Sequence, residues 1–188
     1  MSTQYCFNTK PYADAFLHAV VFVLIKEGAL NSDGTPKPNL GYVNDPDDPG
    51  GETKGGISKR AFPNLDIASL AIDDIVRIYH TRYWRAAYCP EWSPAVALYA
   101  FDSAVQHGSI TAIKLLQEIS GCKDDGMVGP KTRSAVNSLD QEFLLARFGL
   151  RRARLYARII QSNTSQVRYI EGWFNRLVDL TNSAWEIH

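Results

Sequence analysis

Only three cysteines occur among 188 residues, Cys6, Cys89 and Cys122, with no CxxC pair and no Cys/His cluster at metal-ligand spacing. So sparse and odd a set excludes a disulfide framework, gives no reason to expect a metal or cofactor, and fits folding in a reducing cytoplasm. There is no dense basic run with interleaved aromatics, and the formal net charge is +0. Up to residue 94 there are 9 Lys and Arg against 11 Asp and Glu, and beyond it 11 against 9. That asymmetry is too small to indicate nucleic acid as a partner. The N-terminal stretch MSTQYCFNTKPYADAF lacks the basic start and small-residue cleavage site of a secretory signal. The apolar run FLHAVVFVLI has about half the ~20 residues that a bilayer span needs, and His18 interrupts it. No internal repeat or low-complexity tract is visible.

What is present suits one domain, or one domain with a small appended lobe, and the 45% apolar content can fill a real core. Pro11 and Asp14 precede FLHAVVFVLI, predicting a first helix that is apolar nearly all round and therefore central, with Gly28 able to end it. Glu27 then falls in the last turn of a buried helix. Desolvation there raises a carboxyl towards the range of a general acid, whereas the bland reading is a surface glutamate beside Lys26.

Residues 28–57 have several Pro and Gly and little apolar periodicity, so they read as a long, functional loop with room for a short hairpin. NSDGTPKPN is an exposed excursion of turn formers. YVNDPDDPGGETKGGIS differs in kind: it brings Asp45, Asp47, Asp48, Glu52 and Thr53 back towards Glu27, more acid than a turn requires. The ligand spacing of an EF-hand is absent, so calcium is not expected. Two carboxylates in different surroundings suit glycosidic bond cleavage.

The remainder reads as helices. The spacing of Ile67, Leu70, Ala71, Ile75, Ile78 and Tyr79 predicts a helix through residues 65–88, capped by Asp66 or Ser69. Tyr79, His80, Tyr83 and Trp84 are candidates for stacking on sugar, and equally for the core. PEWSP punctuates the chain. AVALYAFDSAVQHG is an apolar helix whose Asp102 reads as a hydrogen-bonded structural acid, with a substrate contact as the alternative, and whose Gln106 is a candidate substrate contact. SITAIKLLQEISG is a further helix, capped by Ser109 or Thr111, and Pro130 opens another. Two long helices close the chain. On the first, Arg147, Arg151, Arg154 and Arg158 share one face, either a solvated stripe or a site for anionic lipid or wall polymer.

The loop YVNDPDDPGGETKGGIS, preceded by EG and followed by YHTRYW, resembles the catalytic region of glycoside hydrolase family 108, the phage-type N-acetylmuramidases. AFDSAVQHGSITAIKLLQ, DDGMVGPKT and GWFNR resemble the predicted peptidoglycan-binding region that accompanies it. The resemblance runs from about residue 16 to residue 180. It implies a mainly α, lysozyme-like helical globule with a loop-rich active-site segment. The implied reaction is hydrolysis of the β-1,4 bond between N-acetylmuramic acid and N-acetylglucosamine. Glu27 matches the family's catalytic acid, and Asp48 and Thr53 match its Asp and Thr. One departure stands out: residues 29–40 intervene between EG and GYVND, so Asp47 or Asp45 remains an alternative to Asp48.

These readings divide the chain into a catalytic region, 1–92, with its active-site loop at 28–57, and a helical peptidoglycan-binding-like region, 93–188, packed as one globule. The expected protein is a cofactor-independent monomeric endolysin. It is made in the host cytoplasm and reaches the periplasmic wall after a holin-like membrane partner opens the way. A non-catalytic peptidoglycan-binding or phage structural protein, and a secreted muramidase toxin, are the alternatives.

Overall fold

Residues 5–45 and 51–187 are described by the computed structural model. The first helix, α1 (Asp14–Lys26), buries Phe16, Leu17, Ala19, Val20, Phe22, Val23 and Leu24. That burial is what its apolar composition predicts; each large apolar side chain contributes roughly 1.5–3 kcal/mol on removal from water. Asp14 in its first turn and Lys26 in its last complement the helix dipole. Among the described residues, no helix is long and apolar enough to cross a membrane.

Residues 29–40 leave α1 and come straight back. Asn31 N–H donates to Thr35 O at 2.8 Å, Lys37 N–H donates to Ala29 O at 2.9 Å, and Leu30 bridges Pro36. Ala29 and Leu30 are buried beneath the excursion while residues 31–33, 35 and 36 are exposed. At its end Gly41 has φ +68°, and a Cβ there would overlap the carbonyl oxygen of Gly28. Only glycine permits that approach. The insertion is thus a closed loop, and the EG and GYVND halves it separates in sequence meet in space.

A short antiparallel hairpin follows, β1 (Thr53–Lys54) and β2 (Ile57–Ser58). The continuous helix expected from residue 65 does not form; α2 is confined to Ile72–Tyr79 and continues into a π-helical turn, His80–Trp84. The cause lies in competition for carbonyls. The ammonium groups of Lys54 and Lys59 donate to Ala68 O (2.7 Å) and Leu65 O (2.6 Å), tying this stretch to the hairpin. Asp66 closes a local turn onto Ser69 N–H instead of capping a helix. The true start is marked by Asp74, which accepts from Ala71 N–H.

The chain divides into two compact units, Met1–Thr81 and Arg82–His188. In the second, α3 (Pro94–His107) packs against α4 (Ser109–Ile119), α6 (Gln141–Ser162) and α7 (Ile170–Trp185), with α5 (Pro130–Asn137) beside α4. Gly108 separates α3 from α4 and stands as the N-cap of α4, where a serine or threonine side-chain cap was expected. The α6 helix begins at Asp140, whose carboxylate accepts from Phe143 N–H at 2.8 Å. The described residues are mainly α with one short hairpin, as the sequence implies.

Candidate active site

Glu27 is the C-cap of α1, its N–H bonded to Val23 O at 2.8 Å and its side chain partly buried. The tip of the hairpin rests on it. Gly56 has φ +79°, and a Cβ there would lie 2.9 Å from both Cβ and Cγ of Glu27 and would overlap Oη of Tyr79. The Tyr79 hydroxyl donates to Gly55 O at 2.9 Å in a buried setting, while Gly55 N–H donates to Leu40 O at 3.0 Å. The hairpin that carries Thr53 is therefore pinned against Glu27 from two sides. Gly56→Ala should lower activity at least tenfold, because the left-handed backbone alone costs an alanine about 1–2 kcal/mol and the overlap must displace Tyr79 or Glu27. Turnover of purified sacculi measures it, and wild-type turnover would show that this packing does not position Glu27.

The acidic loop is closed at its base. Val43 and Thr53 exchange N–H to carbonyl bonds of 2.8 Å each, and the Tyr42 hydroxyl donates to the Glu52 carboxylate at 2.9 Å. That bond holds the Tyr42 phenol above its ordinary pKa. Asp45 lies within this loop and is exposed. Asp47 and Asp48 lie outside the described residues. The Thr53 hydroxyl donates to Gly51 O at 3.4 Å. Sequence reasoning did not foresee the Tyr42–Glu52 pair or the role of Gly56. The Gly-Gly doublet inside ETKGGIS was the available signal for a close approach.

Among the residues picked out for sugar contact, Tyr79 belongs to the first unit and is 1% exposed, its hydroxyl committed to Gly55. Trp84 is in the second unit, buried edge-on against Phe101 at 5.5 Å. Gln106, also in the second unit, accepts from Tyr156 Oη at 3.0 Å and from the Arg152 guanidinium.

Gln106 belongs to a buried charged cluster. Asp102 accepts from Arg152 Nη1 at 2.6 Å and from Arg176 Nε at 2.9 Å, and both Asp102 and Arg152 are fully buried. Burial by itself would raise the Asp102 pKa, but the two guanidinium groups outweigh it and hold the carboxyl below its ordinary value. His107 lies beside Tyr156 and is pushed down to about 4, mainly by burial and further by Arg152. An unfolded histidine binds its proton near 6.5, so between pH 6.5 and about 4 the unfolded chain holds the extra proton. Stability from this group is complete above pH 6.5 and falls away as pH drops towards 4. All four tryptophans, Trp84, Trp92, Trp173 and Trp185, lie in the second unit, so their fluorescence reports it alone. Urea unfolding followed in this way should show a loss of roughly 2–3 kcal/mol between pH 7 and pH 4.5, and His107→Phe should remove most of that slope. An unchanged slope in the variant would contradict the assignment.

Two family models and a solved structure are similar to this chain. Residues 21–108 match the family described as Glycosyl hydrolase 108, and residues 111–178 match the one described as Predicted Peptidoglycan domain. No curated protein matches. The fold is similar to a solved structure of SagA from Brucella abortus, with a TM-score of 0.74 and 24% identity over 92% of this chain and 94% of that one.

Proposed function

We propose, from the match of residues 21–108 to glycosyl hydrolase family 108 and of residues 111–178 to a peptidoglycan domain, how this chain cuts the wall polymer and where. It is a glycoside hydrolase of the muramidase kind. Its target is the β-1,4 bond between N-acetylmuramic acid and N-acetylglucosamine. Glu27 donates a proton to the glycosidic oxygen as the C1–O bond breaks. The observation that carries this role is the seat of Glu27: a helix end on a buried core, with the Gly55–Gly56 turn packed on its Cβ and Cγ.

The partner carboxylate is Asp48, with Asp47 and Asp45 as the neighbours that would take its place. It remains ionised to stabilise the positive charge that grows at the anomeric carbon, or to draw a proton from water. Thr53, on the hairpin pinned to Glu27, holds that water, so inversion is the favoured stereochemistry. Closure of residues 29–40 onto Gly28 supports the use of the GYVND segment as a direct continuation of the Glu27 helix, despite twelve intervening residues.

In this account the protein is an endolysin, folded in the cytoplasm and released to the wall through a holin-like partner. Cys6, Cys89 and Cys122 are all free thiols, which fits folding in a reducing compartment. Expression alone should be tolerated by a Gram-negative host, and fusion to an export signal should lyse it, read as a fall in culture turbidity. Harmless export of the folded, active protein would remove the endolysin role. Should wild type and Glu27→Gln clear purified sacculi alike, a non-catalytic wall-binding protein would be the better description.

A further inference from the structure

The long helices α6 and α7 leave an apolar groove of about 490 Å³ between them on the surface of the second unit. Ala146, Leu150 and Ala153 form one wall and Phe174, Val178 and Trp185 the other. Leu150 is 62% exposed, Phe174 44%, Val178 59% and Trp185 69%. A contiguous exposed apolar strip of this kind marks an interaction surface.

Its two flanks carry opposite charge. Arg147, Arg151 and Arg154 share a wall with Leu150 and Ala153 on the side of α6 away from α7. Arg151 pairs with Glu118 at 3.2 Å, while Arg147, Arg154 and Arg158 are exposed. Asp179 on α7 and Glu186, the residue that caps its C-terminal end, are exposed and seven residues apart, so they share a face. Asp179 is two positions from the buried Leu177, which turns it away from the core.

We infer that this groove binds a second copy of the chain, α6 of each copy lying over α7 of the other about a two-fold axis parallel to the helices. An apolar face with an arginine bank on one side and an acidic bank on the other has two isologous ways to meet itself. An axis across the helices sets α6 on α6 and arginine against arginine. An axis along them sets each arginine bank against the partner's acidic bank, and charge complementarity selects it. An anionic membrane fits less well, because Asp179 and Glu186 would be brought to the same surface as the arginines. A glycan strand fits less well too: of the polar side chains lining the groove, Tyr99 and Thr181 are hydrogen-bonded to each other at 2.8 Å, leaving Glu142. On this inference the chain associates as a dimer, where the sequence reading has a monomer.

Light scattering and sedimentation of the full chain test this. The expected result is a dimer mass that falls to the monomer on dilution. Leu150→Arg/Val178→Arg alters only exposed positions, keeps its circular dichroism, and should be monomeric throughout. Arg147→Glu/Arg154→Glu should weaken the dimer by roughly tenfold, about 1.4 kcal/mol, and adding Asp179→Arg/Glu186→Arg should restore it by exchanging the banks. A monomer at every soluble concentration overturns the inference. So does a dimer indifferent to Leu150→Arg/Val178→Arg, a bank exchange that fails to restore association, or a monomer that sediments with anionic phospholipid vesicles through this face.

Discussion

Glu27→Gln is expected to lower peptidoglycan hydrolysis by about 10²–10⁴-fold, the usual contribution of a positioned general acid. The amide keeps the size and polarity of the carboxyl, so the packing of Gly56 on Glu27 Cβ and Cγ is undisturbed. Thermal stability and affinity for wall fragments should therefore stay near wild type, and the loss should fall on turnover. Asp45→Asn, by contrast, should cost little if Asp48 is the working partner, and Asp48→Asn much. Assays of soluble muropeptide release from sacculi separate these cases. A Glu27→Gln enzyme within a few-fold of wild type would mean that the leaving oxygen receives its proton from elsewhere.

The second large effect concerns stability. Asp102→Ala should destabilise the second unit by about 3–5 kcal/mol, because it leaves the guanidinium of Arg152 buried without its carboxylate. The Arg176 pairing, at 2.7 Å, is lost with it. Replacing the group as a whole behaves differently, since a buried ion cluster is often matched by apolar side chains of similar volume. Asp102→Leu/Arg152→Met/Arg176→Met should recover most of the loss. Tryptophan fluorescence during urea unfolding measures both variants. Equal destabilisation by the single and triple replacements would show that the cluster contributes more than mutual neutralisation.

Much of this was legible in the sequence because periodicity and composition agreed with tertiary packing. The α1 helix is largely apolar and buries most of its large side chains; Pro130 opens a helix; the two long helices near the C-terminus lie close to where their patterns place them. The stretch before α2 was misread because Ile67, Leu70 and Ala71 do recur at helical spacing. The lysines that claim its carbonyls, Lys54 and Lys59, come from a hairpin whose position no local window reveals. Arg152 was missed for a related reason. It lies off the arginine stripe at 147, 151, 154 and 158, and its spacing from Phe148 and Tyr156 puts it on the buried face.

At the site, Glu27 could be singled out because an apolar helix ends on it. The packing around it could not, since the contacts of Gly56 with Glu27 and Tyr79 join residues 27, 56 and 79 through three separate elements. The insertion at residues 29–40 separates EG from GYVND in sequence, and the fold brings the two segments back together. Its ends are joined by the approach of Gly41 to Gly28, a relation that only backbone geometry exposes.

The central claim, acid-assisted cleavage of the glycan by Glu27, is tested most directly by mass spectrometry of the muropeptides released from sacculi by wild type and by Glu27→Gln. The account predicts disaccharide products ending in reducing N-acetylmuramic acid from wild type, and almost none from the variant. Products with intact glycan and a cleaved stem peptide, or equal yields from the two proteins, would contradict it.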